Sequence, residues 1–186
     1  MTQTLSSSVD LLDRALDYTR ERLGSVRGGL LDRPTPCADW SLAELLAHME
    51  DSLDAFTEAA GGAVAVHLTT TAEGRVAALQ DKACALLGVW SRTGPGDVLV
   101  GGLDLGSTVL VATAALEITV HGWDVGQATA DRSPIPATLA RELLPVARAM
   151  VAESDRGLRF AHPLAVAPSA SYDVELLAFL GRTERT

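Results

Sequence analysis

The apolar positions of this chain fall into long stretches at helical spacing, and one stretch is apolar almost all the way round. From Thr108 to Val120 every residue is apolar or hydroxylated except Glu117, and His121 follows one turn later. A helix of this kind is buried on most sides, and residues at i and i+4 project from the same face. A lone carboxylate there faces a desolvation cost of several kcal/mol. Protonation, a paired cation or a bound metal ion would each offset it.

The remaining stretches carry one-sided stripes. Val9, Leu12, Leu16 and Leu23 predict a first helix over residues 7–23. The second has the clearest start: Ser41 and Glu44 form a capping box, with Trp40 and Leu45 at the staple positions. Its core stripe is Leu42, Leu45, Leu46, Met49, Leu53 and Phe56, and Gly61-Gly62 ends it. His48 falls about 120° from the middle of that stripe, in a row with Ser41, Ser52, Ala55 and Ala59. Small side chains around one large polar group either admit a neighbouring helix or line a cavity.

A third helix is predicted over residues 71–91 by Val76, Leu79, Leu86, Leu87 and Trp90. Gly101-Gly102 between LV and LDL then signals a small hairpin. The fourth helix runs over 107–129. The fifth is entered at Pro136 and runs to residue 154, with Pro145 predicting a kink. A short helix from Tyr172 to Leu180, closed by Gly181, ends the pattern. Four long helices, with one long connection between the third and fourth, predict an all-α four-helix bundle. It forms one domain over residues 1–186, with no internal repeat. Sites in such bundles are built from inward-facing side chains of adjacent helices.

Composition narrows the picture. The 186 residues are 47% hydrophobic but only 4% aromatic, so the core must be built from Leu, Val and Ala. The net charge of −9 and the lack of a basic cluster remove the electrostatic footprint of nucleic-acid binding. The two cysteines, Cys37 and Cys84, form no C-x-x-C pair, and the N-terminus lacks a signal-peptide pattern. A reduced, cytoplasmic setting is therefore expected. Glu117 and His121 interrupt the one segment approaching bilayer length, so no membrane span is expected.

Of the four histidines, His48 and His121 fall within long helices, while His67 and His162 fall in loops, where an ordinary loop role is expected. Together His48, Glu117 and His121 supply two imidazoles and a carboxylate. This set suits a divalent transition ion with at least one position left open. The same residues also describe an i,i+4 ion pair beside a hydrogen-bonded core histidine, or the facial triad of a non-haem iron oxygenase. Spacing alone leaves these open. Asp124 is placed either to support a ligand imidazole or to stand as a solvated helix charge. Cys37 lies near a helix N-terminus, where the dipole lowers a thiol pKa, although a small residue packed in a tight loop is expected. Trp40 and Trp123 are expected to pack rather than bind.

The segment TPCADWSLAELLAHM, from Thr35 to Met49, resembles the T-P-C-x-x-W-x-x-x-x-L-x-x-H signature of the DinB-like metalloprotein superfamily. It is most similar to the actinobacterial branch containing the metal-binding domain of mycothiol-dependent maleylpyruvate isomerase. ALEITVHGWDVGQAT, from Ala115 to Thr129, resembles that branch's second motif, E-x-x-x-H-x-W-D, and LLAFLGR resembles the close of its single-domain members. The resemblance implies a four-helix bundle with a crossover connection, often a homodimer. It also implies a metal held by His48, Glu117 and His121, zinc being expected and nickel the alternative. The activated species would be a low-molecular-weight thiol of the mycothiol type acting on an electrophile, in a transferase or isomerase, or else water in a hydrolase. The isomerase itself carries a further C-terminal domain, which this chain is expected to lack, so maleylpyruvate isomerisation in particular is not expected. The contrasting expectation is a non-catalytic stress-response or binding bundle that keeps an inherited site. Substrate, catalytic residues and native metal are left unassigned by the residues.

Overall fold

The computed structural model describes residues 4–37, 40–64, 71–92, 97–100, 103–157 and 159–183. His67 lies outside them. Helix α1 (Leu5–Leu23) starts on Thr4, whose hydroxyl accepts the Ser7 N–H. Helix α2 (Leu42–Ala59) starts on the expected capping box: the Ser41 hydroxyl takes the Glu44 N–H at 3.3 Å and the Glu44 carboxylate takes the Ser41 N–H at 2.8 Å. Such a cap is worth about 1 kcal/mol and fixes where the helix begins. Helix α3 (Ala72–Arg92) follows. The antiparallel pair β1 (Asp97–Val100) and β2 (Leu103–Gly106) then leads straight into α4 (Ser107–Thr129). The two segments flanking Gly101-Gly102 thus pair as the hairpin signal predicted, while the two glycines themselves lie outside the described residues.

Helix α1 packs along α4 and also touches α3; α2 packs on α3 and α4. The four therefore form the expected bundle, in the cyclic order α1, α4, α2, α3. In that order α3 and α4 stand at opposite corners, so the connection carrying the hairpin crosses the bundle. So does the connection from α1 to α2, a second crossing that the helix pattern did not reveal. Helix α5 (Ala137–Met150) covers α4, and α6 (Tyr172–Phe179) packs on α5. Helix α5 continues through Pro145 but stops four residues short of the expected end, because Val151 turns extended and residues 153–155 form a 3₁₀ turn.

Every residue of α4 from Ile118 to Ala128 is buried, as its all-round apolarity requires. The core runs continuously through the bundle, from Leu11 and Leu12 on α1 to Leu143 on α5 and Leu176 on α6. Close approach of α1 to α4 depends on Gly122: a Cβ there would lie 2.4 Å from the Thr19 hydroxyl oxygen. That hydroxyl instead donates to the Ile118 carbonyl at 2.9 Å. Among the described residues no helix is long and apolar enough to cross a membrane.

Candidate metal centre

Two turns beyond its cap, α2 places His48 opposite Glu117 of α4. The loop before the cap is itself fixed. The fully buried Thr35 donates its hydroxyl to the Trp40 carbonyl at 3.0 Å and accepts the Cys37 N–H at 3.2 Å. The Leu42 N–H donates to the Arg33 carbonyl at 2.8 Å. This brings the Trp40 ring to 4.8 Å from that of His48, centre to centre. Trp40 therefore backs the imidazole.

The Nε2 atoms of His48 and His121 lie 2.8 and 3.1 Å from the same oxygen, Oε1 of Glu117. The two rings stand edge to face, 5.0 Å apart. Ligand atoms of His48, Glu117 and His121 all fall within 4.8 Å of one another. The structure thus gathers the three residues that the sequence singled out. Glu117 is not sealed in, as its apolar surroundings in the sequence suggested. Its side chain is 32% exposed and that of His48 35%, against 7% for His121. Glu117 and His121 line a cavity of about 380 Å³ inside the bundle, together with Met49, Leu53 and Ile118.

Behind His121 the contacts become fully buried. Its Nδ1 lies 3.0 Å from Oδ2 of Asp124, which has no exposed surface. Asp124 in turn accepts both Nε and Nη2 of Arg182, at 3.0–3.2 Å. Of the two sequence readings of Asp124, the structure shows the one in which it holds an imidazole. Arg182 escaped the sequence reading, because only folding brings a residue just beyond α6 against α4. The signal within reach was Gly181, with φ of 71°, turning the chain just before Arg182.

These contacts set the protonation states. Burial pushes the Asp124 carboxyl up, but Arg182 and then His121 hold it below the usual carboxylate range. Asp124 is thus an acceptor only and fixes a proton on Nδ1 of His121. Burial also disfavours charge on His121, yet Glu117 and Asp124 raise it to about 9. For Glu117, burial is likewise outweighed, by His121 and then His48, and the carboxyl is held well below its normal value. Without a metal, the two imidazoles direct their Nε2 protons at one ionised oxygen. With Nδ1 of His121 occupied, Nε2 is the atom left for any other electron-pair acceptor.

Cys37, His121 and Asp124 form a second group of atoms within 4.8 Å. Both oxygens of Asp124 are already engaged by a guanidinium, which would repel a cation. Burial, followed by the charge of Asp124, raises the Cys37 thiol to about 11, so it is not the activated thiol its place near a helix start allowed. Trp123 is packed in the core and His162 is exposed on a loop.

The bundle and its motifs define a DinB-like helical protein. More particularly, residues 12–126 match the family model described as the mycothiol maleylpyruvate isomerase N-terminal domain, and the chain belongs to that family. It is 31% identical over 179 residues to two uncharacterised proteins from two strains of Mycobacterium tuberculosis, covering 92% of this chain and 96% of each relative. Among solved structures, it matches mycothiol-dependent maleylpyruvate isomerase with a TM-score of 0.58 at 16% identity. It matches a histidine-to-alanine mutant of that enzyme with a TM-score of 0.61 at 15% identity. Both alignments cover 79% of this chain and 72% of the other. The resemblance drawn from the two sequence motifs is borne out, and at these identities the solved structures establish the shared fold.

Proposed function

We propose that the protein is a divalent-metal-dependent enzyme whose ion is held by His48, Glu117 and His121, and that the whole chain forms one metal-binding domain. The observation that carries this reading is the convergence of two imidazole Nε2 atoms on one oxygen of Glu117. The donor set fits an ion of the zinc class. Ligand bonds of about 2.0–2.1 Å to imidazole and carboxylate put neighbouring ligand atoms a little over 3 Å apart, so small side-chain movements open the cluster enough. Zinc is the expected occupant and nickel the alternative.

When bound, such an ion lowers the pKa of a coordinated thiol or water and makes it nucleophilic near neutral pH. This chain's own residues supply the frame. Asp124, fixed by Arg182, orients His121 and sets its tautomer. Trp40 backs His48. The partial exposure of Glu117 keeps one side of the cluster open to a small molecule. Membership of a mycothiol isomerase family supports a low-molecular-weight thiol of the mycothiol kind as the activated species, in a transfer or isomerisation on an electrophile. Water is the alternative nucleophile.

The test is elemental analysis of natively purified protein beside its His121→Ala variant. About one zinc or nickel per chain is expected in the former and less than a tenth of that in the latter. Equal metal in both would overturn the ligand assignment. A thiol-consumption screen with mycothiol and an electrophile panel then separates thiol activation from hydrolysis.

A further inference from the structure

The cavity that reaches Glu117 and His121 has a floor and a mouth of different chemistry. Its inner wall is apolar and buried, from Leu23, Met49, Leu53, Leu79 and Ile118. Its outer rim is exposed, with Asp13, Asp17 and Arg20 on α1 facing Gln80 and Cys84 on α3. Among the described residues, the only arginine lining it, Arg20, is already bound to Asp17 at 3.0 Å, and no lysine lines it. The rim therefore carries one net negative charge and no guanidinium free to receive an acid. At about 380 Å³ the space lies at the small end of ligand pockets, which run from about 300 to 1,000 Å³.

We propose that this cavity binds a small, mainly apolar molecule whose outward-facing end is uncharged or cationic, and that it excludes molecules carrying a carboxylate at that end. The volume suits a body of one or two fused rings, since an apolar cavity of about 150 Å³ accommodates benzene. The two acidic side chains at the mouth repel an anionic end held there and offer it no free cation, while the one raised imidazole, His121, lines the cavity beside Glu117. Opening beside Glu117 and His121, the cavity is placed to hold the electrophile. This last assignment rests on the metal reading above; the binding and charge selection do not.

The exposed Cys84 on the rim reports occupancy. Metal-free protein is treated with a maleimide, and modification of Cys84 is followed by mass spectrometry, with Cys37, which does not line the cavity, as the internal control. Three probes of matched shape are compared: 2-naphthylmethanol, 2-naphthylmethylamine and 2-naphthoate. The alcohol and the amine are expected to slow Cys84 modification at least fivefold at saturation, and the naphthoate less than twofold. Protection should vanish in Ala83→Phe, which fills the lining. The naphthoate should gain at least threefold in affinity in the double variant Asp13→Asn and Asp17→Asn. Equal protection by all three probes overturns the charge selection, and protection by none overturns the site. Because the protein is metal-free throughout, neither outcome depends on whether His48, Glu117 and His121 hold an ion.

Discussion

Two of the clusters of charged side chains below the bundle's surface are built on opposite rules. Between α2 and α3, Lys82 is only 6% exposed and sets its ammonium against both oxygens of Asp54, at 2.5 and 2.6 Å. A full cation there meets a full anion, and Asp54, 26% exposed, keeps one side in water. Between α2 and α4, Glu117 meets no lysine or arginine among the described residues; its partners are two imidazoles. Imidazole is the one partner that can give up its proton near neutral pH and present a lone pair instead. The first arrangement is complete as it stands, whereas the second is balanced by protons that another positive centre can replace. The two arrangements are thus told apart by whether the neutralising group can leave.

This contrast is broken most severely at Arg182. With Asp124 fully buried, Arg182→Met strips its strongest partner and should cost about 3 kcal/mol, the low end for breaking a buried pair. It should also weaken metal binding roughly 10–100-fold, because the support behind His121 is lost. Lys82→Met should cost about 1–2 kcal/mol, since Asp54 can rehydrate, and should leave metal affinity within twofold. Urea denaturation and a competitive chelator titration read the two quantities. Equal loss of metal affinity in the two variants would erase the distinction between the clusters.

Slightly smaller is the effect of the ion itself. Zinc at about a hundred times its dissociation constant should stabilise the native state by about 2.7 kcal/mol. In a chain of this size that raises the Tm by roughly 5–10 °C. The rise should persist in Lys82→Met and disappear in His48→Ala. A rise surviving in His48→Ala would move the ion to other residues.

How much of this was legible beforehand follows from the range of each interaction. The α2 cap, the α4 helix and the pairing of β1 with β2 are written in residues a few positions apart, and all three form where the pattern placed them. The i,i+4 relation of Glu117 and His121 is equally local. The off-stripe position of His48, in its row of small side chains, was legible too. Its Nε2 lies 3.4 Å from the Ser52 hydroxyl, beside the cavity that Ser52 lines. What could not be read depends on the cyclic order of the helices. That order decides that Arg182 meets Asp124 across 58 residues, that the α1–α2 connection crosses the bundle, and that a cavity opens beside Glu117.

The smallest effect is the dependence on pH, and its sign differs between the metal-free and metal-loaded protein. In the metal-free protein His121 titrates near 9, above the ordinary histidine value of about 6.5. A group whose folded pKa is raised binds its proton more tightly in the native state. Its stabilising contribution is complete below about pH 6.5 and is lost as the pH rises through 9. Coupling to Glu117 shares that contribution between the partners, so a fall of about 1–2 kcal/mol is expected across this window. Zinc competes with the same protons, so the extra stability it confers should grow over the same interval as fewer protons must be displaced. Urea unfolding at pH 6.5, 7.5 and 9, with and without zinc, separates the two slopes. Metal-free stability that stays flat or rises toward pH 9 would mean that His121 does not neutralise Glu117 by protonation, and the contrast with the Asp54–Lys82 pair would lose its physical basis.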